Sequence, residues 1–155
     1  MNRVFDFEVS AEFQQFLLRD ETTDDLPSWL SPDESRRLLA VEEEAVGIGT
    51  ISEMPVQVIL EVSGSPPHSN LTNWDHATEF SLNLPSGRLI VSGICDSGDS
   101  RHIEVEPGSY RVRVHYGNLG RAMGSCREHY WVVLWRETPR QVLILKQTTM
   151  TGQLQ

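Results

Sequence analysis

Five histidines, two cysteines and two acid-histidine dipeptides are the residues of this 155-residue sequence whose types could carry chemistry. His68, His76, His102, His115 and His129 raise the question of a metal. A site of the cupin kind takes a His-x-His pair on one strand, a carboxylate beyond it and another histidine on a later strand. No His-x-His pair occurs, and Pro107-Gly108 ahead of the strand that holds His115 is ordinary turn chemistry. Asp75-His76 and Glu128-His129 have the composition of acid/base pairs. Neighbours in a strand point to opposite faces, so neither pair works together unless a turn or bulge re-aims one member. Cys95 and Cys126 belong to no Cys-x-x-Cys pattern and are expected as free thiols, with Arg127 beside Cys126 as one cation able to lower its pKa. Gly117, Gly120 and Gly124 near Ser125 lack the Lys-Ser/Thr ending of a phosphate loop. No metal or cofactor is expected, and the chain reads as a non-enzyme, with cupin-type metal catalysis as the enzymatic alternative.

Two further sets suggest binding. Trp74, Tyr110, Tyr116, Tyr130, Trp131 and Trp135 could line a sugar-binding face, but most sit in strand-forming segments and are expected in the core. Arg111 and Arg113 alternate with apolar residues, which places them on an exposed face where they could bind an anion; cross-strand pairing with acids such as Glu104 and Glu106 is the simpler account.

Charge is unevenly spread. The net charge is −9, and residues 1–60 hold 13 acidic against 4 basic side chains, while the remainder is balanced at 9 of each. An acidic chain is ill suited to hold nucleic acid through its phosphates, which needs a positive footprint. It suits a basic protein partner, whose approach a negative field accelerates. The simpler account is that acidity keeps the protein soluble.

The elements that position these residues are mostly strands. In Tyr110 to Tyr116, Tyr110, Val112, Val114 and Tyr116 share one face and Arg111, Arg113 and His115 the other. Tyr130 to Trp135 is apolar at both parities, as a strand covered on both sides requires, and is expected at the centre of a sheet. Val4 to Ser10, Val46 to Ser52, Val56 to Val62 and Gln141 to Gln147 add strands; in Glu12 to Arg19, Phe13, Phe16 and Leu17 have helical spacing while Phe-Leu-Leu equally suits a short buried strand, and the strand is favoured. Residues 78–94 suggest a hairpin closed by Pro85-Ser86-Gly87. Cys95 to Ser100 is a turn, and Thr148 to Gln155 a frayed tail. Ser31-Pro32-Asp33-Glu34 carries the cap serine, first-turn proline and acid of a helix start, predicting a helix from Pro32 to about Val41 with Leu38, Leu39 and Val41 inward and Glu42-Glu43-Glu44 ending it. Eight to ten short strands with one helix and no βαβ alternation imply one domain over residues 1–155, a mainly β, antiparallel two-sheet sandwich or jelly roll. No apolar run approaches the roughly 20 residues that span a bilayer, and the acidic N-terminus lacks a signal peptide's apolar core, so a cytoplasmic protein is expected.

Three segments, Leu84 to Gly93 (LPSGRLIVSG), Val105 to Gly117 (VEPGSYRVRVHYG) and Glu128 to Trp135 (EHYWVVLW), together resemble the competence protein J family. The resemblance covers roughly residues 74–147. The family's namesake inhibits a DNA-entry nuclease, and the resemblance implies an antiparallel β-sandwich that acts by protein contact without catalysis. A nuclease presents a cationic groove, which an inhibitor can occupy by offering carboxylates where phosphates would sit. The candidates for that role are Asp20, Glu21, Asp24, Asp25, Glu42, Glu43, Glu44 and Glu53. The partner implied is a basic protein, a nuclease or nuclease-type toxin, with no direct contact to nucleic acid or membrane. A carbohydrate- or small-ligand-binding jelly roll is the alternative.

Overall fold

The computed structural model describes residues 2–29, 31–95, 100–121 and 127–149. Six strands, β1 (Arg3–Val9), β5 (Val56–Val62), β6 (His76–Leu84), β9 (Gly108–Gly117), β10 (His129–Arg136) and β11 (Leu143–Lys146), form one sheet in the order β1-β5-β10-β9-β6-β11. Five more, β2 (Gln15–Asp20), β3 (Leu39–Val41), β4 (Ala45–Gly49), β7 (Arg88–Gly93) and β8 (Arg101–Glu104), form the second in the order β3-β4-β2-β7-β8. The pairings are antiparallel except that of β5 with β10. This is the expected two-sheet β-sandwich with one short helix. No described helix is long and apolar enough to cross a membrane.

Alternation builds the core. Val58 and Leu60 of β5, Val112, Val114 and Tyr116 of β9, and Tyr130, Val132 and Leu134 of β10 are buried in one cluster with Phe16, Leu18, Val46, Ile48, Leu89 and Val91 of the second sheet. Residues 130–135 lie mid-sheet between β5 and β9, as their two apolar faces require.

Several expectations change. The helix α1 is only Pro32–Arg37; its start is as predicted, with Ser31 N–H donating to the Glu34 carboxylate at 2.9 Å. It stops because Leu38 turns left-handed (φ 57°), and the Leu38 carbonyl is taken by Tyr116 Oη at 2.7 Å and Gly49 N–H at 2.9 Å. Leu39 to Val41 is then a strand, and Glu42-Glu43-Glu44 forms the β3–β4 turn instead of a helix end. Residues 12–14 are a 3-10 turn, so β2 starts at Gln15. The hairpin expected over residues 78–94 is a corner, because β6 pairs in the six-stranded sheet and β7 in the five-stranded one. The Pro107-Gly108 turn likewise carries the chain from β8 in one sheet to β9 in the other.

Long connections roof both outer faces. Over the six-stranded sheet, the carbonyls of Arg140 and Gln141 accept from the Arg111 guanidinium at 2.9 and 2.7 Å. Arg111 is therefore buried, and it pairs with buried Glu79 at 2.8 Å, not with Glu104 or Glu106. Arg113 and Arg140 reach the same carboxylate, each at 3.0 Å. Over the five-stranded sheet runs a strap, residues 21–29, whose Trp29 indole donates to Gln15 Oε1 at 2.9 Å and rests against Gly47. A Cβ on Gly47 would lie 3.2 Å from Trp29 Cζ2, so the close seat depends on glycine. The 96–99 part of the expected turn, Cys126 and the tail beyond residue 149 lie outside the described residues; Cys95 is exposed and free.

Candidate functional site

Asp24 lies along the strap, in a pocket it shares with Leu17, Arg19, Ser92 and Gly93, whereas Asp20, Glu21 and the Glu42-Glu43-Glu44 turn gather at one end of the five-stranded sheet. β2 arrives there at Asp20, β4 leaves from it after the Glu42-Glu43-Glu44 turn, and the β6–β7 corner at residues 85–87 closes it. Asp20 N–H donates to the Glu44 carbonyl at 2.9 Å, and Asn83 N–H to the Glu43 carbonyl at 2.9 Å, which fixes the turn against both neighbours.

The candidates differ in role. Asp20 is buried and serves as the knot of the corner. Its carboxylate accepts from Ser86 N–H at 3.0 Å, Ser86 Oγ at 2.8 Å, Thr22 N–H at 3.0 Å and Thr22 Oγ1. Burial works to raise its pKa, but the bonds from Thr22 and Ser86 prevail and hold it below the usual range. Glu21 is paired with Arg88. Asp24 and Asp25 are exposed on the strap, Glu42 and Glu43 are exposed on the turn, and Glu44 is half-buried. Among the described residues, no ion pair engages these five carboxylates.

Glu53 stands apart. It follows β4 where the triplet precedes it, and five strand residues at about 3.3 Å each put roughly 16 Å between the two ends. The sequence reading also missed two contributors to the acidic end. Glu104 lies opposite Arg88 in the β7–β8 register and is exposed, and Glu106 at the next corner pairs with Arg136 at 3.4 Å. Their signal was present but was assigned to Arg111 and Arg113, which Glu79 holds instead.

Between the triplet and the 139–142 segment runs a groove of about 650 Å³. Glu42 and Glu43 form one wall, Ser81, Asn83 and Ser109 line it, and Arg140 forms the other wall.

The remaining constellations have other duties. Glu128 is buried and accepts from Ile51 N–H at 3.0 Å, Ser52 N–H at 2.9 Å, Gly120 N–H at 3.0 Å and Tyr130 Oη. Burial, reinforced by that carboxylate, pushes the Tyr130 hydroxyl pKa well up. Asp75 accepts from Leu119 N–H while His76 bonds to Arg37 and Thr148, so the two neighbours serve different partners. Among the described residues, no three metal-ligating side chains converge. Tyr110, Tyr116, Tyr130 and Trp135 are buried; Trp74 and Trp131 are half-buried, packed around His115 with Trp74–His115 and His115–Trp131 centroids at 5.3 and 4.3 Å.

No family model matches the sequence, and no curated protein does. Solved structures do. ComJ from Bacillus subtilis, an inhibitor of the DNA-degrading activity of NucA, superposes with a TM-score of 0.72 over 88% of this chain and 99% of its own, at 8% identity. This is the ComJ fold. The product of crocagin biosynthetic gene J shares it, with a TM-score of 0.64 over 89% of this chain and 99% of its own, at 21% identity. The β-sandwich implied by the resemblance is thus the one found, and the acidic end is a feature this chain carries on a ComJ fold.

Proposed function

We propose that the chain is a non-catalytic protein-binding module that inhibits a nuclease by covering its cationic surface with the carboxylates of the β3–β4 turn and of the strap over the five-stranded sheet. The observation that carries the reading is the set of carboxylates on the strap and the β3–β4 turn, Asp24, Asp25, Glu42, Glu43 and Glu44, which no ion pair engages among the described residues, on a fold shared with a nuclease inhibitor. Carboxylates held at a fixed turn can stand in for phosphates without needing to be ordered on binding. Glu104 extends the same surface. Glu21 and Asp20, already engaged, support the geometry.

The test is capture from a lysate of the source organism at low salt, elution by a salt gradient, and a DNA-degradation assay on whatever is released. The expected result is a basic nuclease whose activity falls when the chain is added back. Replacing Asp24, Asp25, Glu43 and Glu44 by their amides slows association roughly tenfold or more and flattens its salt dependence, since exposed charges act mainly on the encounter. Affinity left unchanged at low and high salt removes these residues from the interface.

A further inference from the structure

At the end of the five-stranded sheet away from the Glu42-Glu43-Glu44 turn lies a cavity of about 160 Å³, lined by residues that include Phe13, Gln15, Trp29, Ser35, Leu38 and Thr50. Three non-glycine residues in its wall hold left-handed backbone: Phe13 (φ 58°), Gln14 (φ 57°) and Leu38 (φ 57°). Such a conformation is strained for any residue with a Cβ, persists only where the surroundings impose it, and collects at binding sites. At Leu38 the bonds from Tyr116 and Gly49 impose it; at residues 13 and 14 Gln14 does, its N–H donating to the Ala11 carbonyl at 3.0 Å, its Nε2 to the Ile51 carbonyl at 2.9 Å, and its own carbonyl accepting from Thr50 N–H at 2.9 Å. The result is a Phe13 ring 69% exposed at the rim, with Met54 57% exposed on the connection after β4.

Three polar groups of the wall are engaged within the protein, and Gln14 Nε2 is a fourth, on the Ile51 carbonyl. Trp29 Nε1 donates to Gln15 Oε1, and Thr50 Oγ1 donates to the Ser52 carbonyl at 2.6 Å. What the cavity offers an occupant is therefore mainly apolar contact, from Phe13, Trp29 and Leu38, with the Ser35 hydroxyl as a polar group beside it. Its volume falls short of the roughly 300 Å³ at which small-molecule sites begin. It matches the roughly 150 Å³ that accepts one benzene-sized group.

We infer that this cavity is a socket for one aromatic or branched aliphatic side chain of the protein partner. The inference rests on the protein-binding reading above and adds its apolar anchor. The strap that displays Asp24 and Asp25 ends at Trp29 in the socket wall, so one partner face meets both. The length of β4, roughly 16 Å, fits within a partner footprint of about 800 Å². Carboxylates then set how fast the partner arrives, and the filled socket sets how long it stays.

The test uses capped amino acids as probes of a side chain carried on a backbone. N-acetyl-phenylalaninamide, N-acetyl-leucinamide, N-acetyl-alaninamide and toluene are titrated into the isotope-labelled chain, reading the Trp29 indole N–H and Thr50 amide signals. Saturable shifts with the phenylalanine or leucine probe, at least tenfold weaker binding of the alanine probe, and at least tenfold loss on plugging the cavity with Ser35→Phe are expected. Phe13→Ala, which removes the rim without filling the cavity, weakens binding at least threefold and covers the case in which Ser35→Phe fails to fold. Glu42→Gln, Glu43→Gln and Glu44→Gln together leave the probe shifts unchanged, so failure of the carboxylate reading and failure of the socket appear in different measurements. No saturable shift, equal binding of the alanine probe, or binding that survives Ser35→Phe in a folded variant overturns the inference. Binding of toluene alone, with the capped residues excluded, makes the cavity a small-molecule pocket and overturns it equally.

Discussion

Acidification from about pH 7.5 to about pH 5 destabilises the chain by an amount that His115 largely sets. The ring is buried on the outer face of the six-stranded sheet, stacked on Trp131 at 4.3 Å, with Nδ1–H donating to the Trp131 carbonyl at 3.0 Å. Burial, opposed by that carbonyl and assisted by the Arg113 charge, lowers its pKa from 6.5 to about 4. The folded chain therefore binds fewer protons than the unfolded chain between those values. The stability contribution is complete above about pH 6.5 and is lost as pH falls towards about 4. With about 1.36 kcal/mol per unit, the full loss is about 3 kcal/mol, of which about 2 kcal/mol has gone by about pH 5. His76 adds in the same direction: it is buried, with Nε2–H on the Arg37 carbonyl at 2.7 Å and Nδ1 accepting from Thr148 N–H at 3.0 Å, and burial lowers its pKa. Asp20 stays out of this window, because a carboxyl lowered from 3.8 loses its contribution only as pH falls through values below that. Equilibrium urea unfolding at a series of pH values measures the effect. His115→Phe keeps a stacking ring that cannot titrate; it costs about 1 kcal/mol at neutral pH for the lost side-chain bond to the Trp131 carbonyl and flattens the acid loss by about 2 kcal/mol. Identical pH profiles for the two proteins, or an NMR titration of His115 near 6.5, refutes the reasoning.

Glu79→Ala leaves Arg111 buried without its carboxylate and is expected to cost about 3–5 kcal/mol by chemical denaturation, against a small effect for Glu106→Ala at the surface. In Glu128→Gln an amide nitrogen faces N–H and O–H donors, with an expected loss of about 2–4 kcal/mol and a drop in melting temperature. Gly117→Ala sets a Cβ 2.5 Å from His129 Nε2 and 3.0 Å from Trp74 Cζ3, lowering stability by about 1–3 kcal/mol, with the shift largest in Trp74 fluorescence.

Much of the sandwich is written in period-2 alternation, and Tyr110 to Tyr116 shows why: four apolar side chains on one face leave little choice of which side is buried. What alternation does not encode is the identity of the neighbouring strand. Leu84 and Arg88 flank the same turn whether the strands pair or part, so the corner at residues 85–87 reads as a hairpin. Nor does any local pattern announce that Leu38 turns left-handed, since the cause is Tyr116 and Gly49, distant in sequence. Arg111 looked exposed because its own face alternates correctly; the 137–142 segment that covers it has no periodicity to read. The acidic end was legible as charge, and its shape was not. Asp20 and Asp24 are equivalent as letters, yet one is the buried knot of a corner and the other faces solvent.

Strands that part at their corners leave their mark on the route to the native state. Because β6 and β7 separate, as do β8 and β9, β2 must wait for β7, with Phe16 opposite Gly93, and β5 for β10, with Gln57 opposite His129. Loops of that length close before they are rewarded, which places such a chain with sandwiches that fold in milliseconds to seconds. While it waits, the apolar segment from Tyr130 to Trp135 has no partner on either side, and newly made protein is most exposed to misassociation until β9 and β5 enclose it.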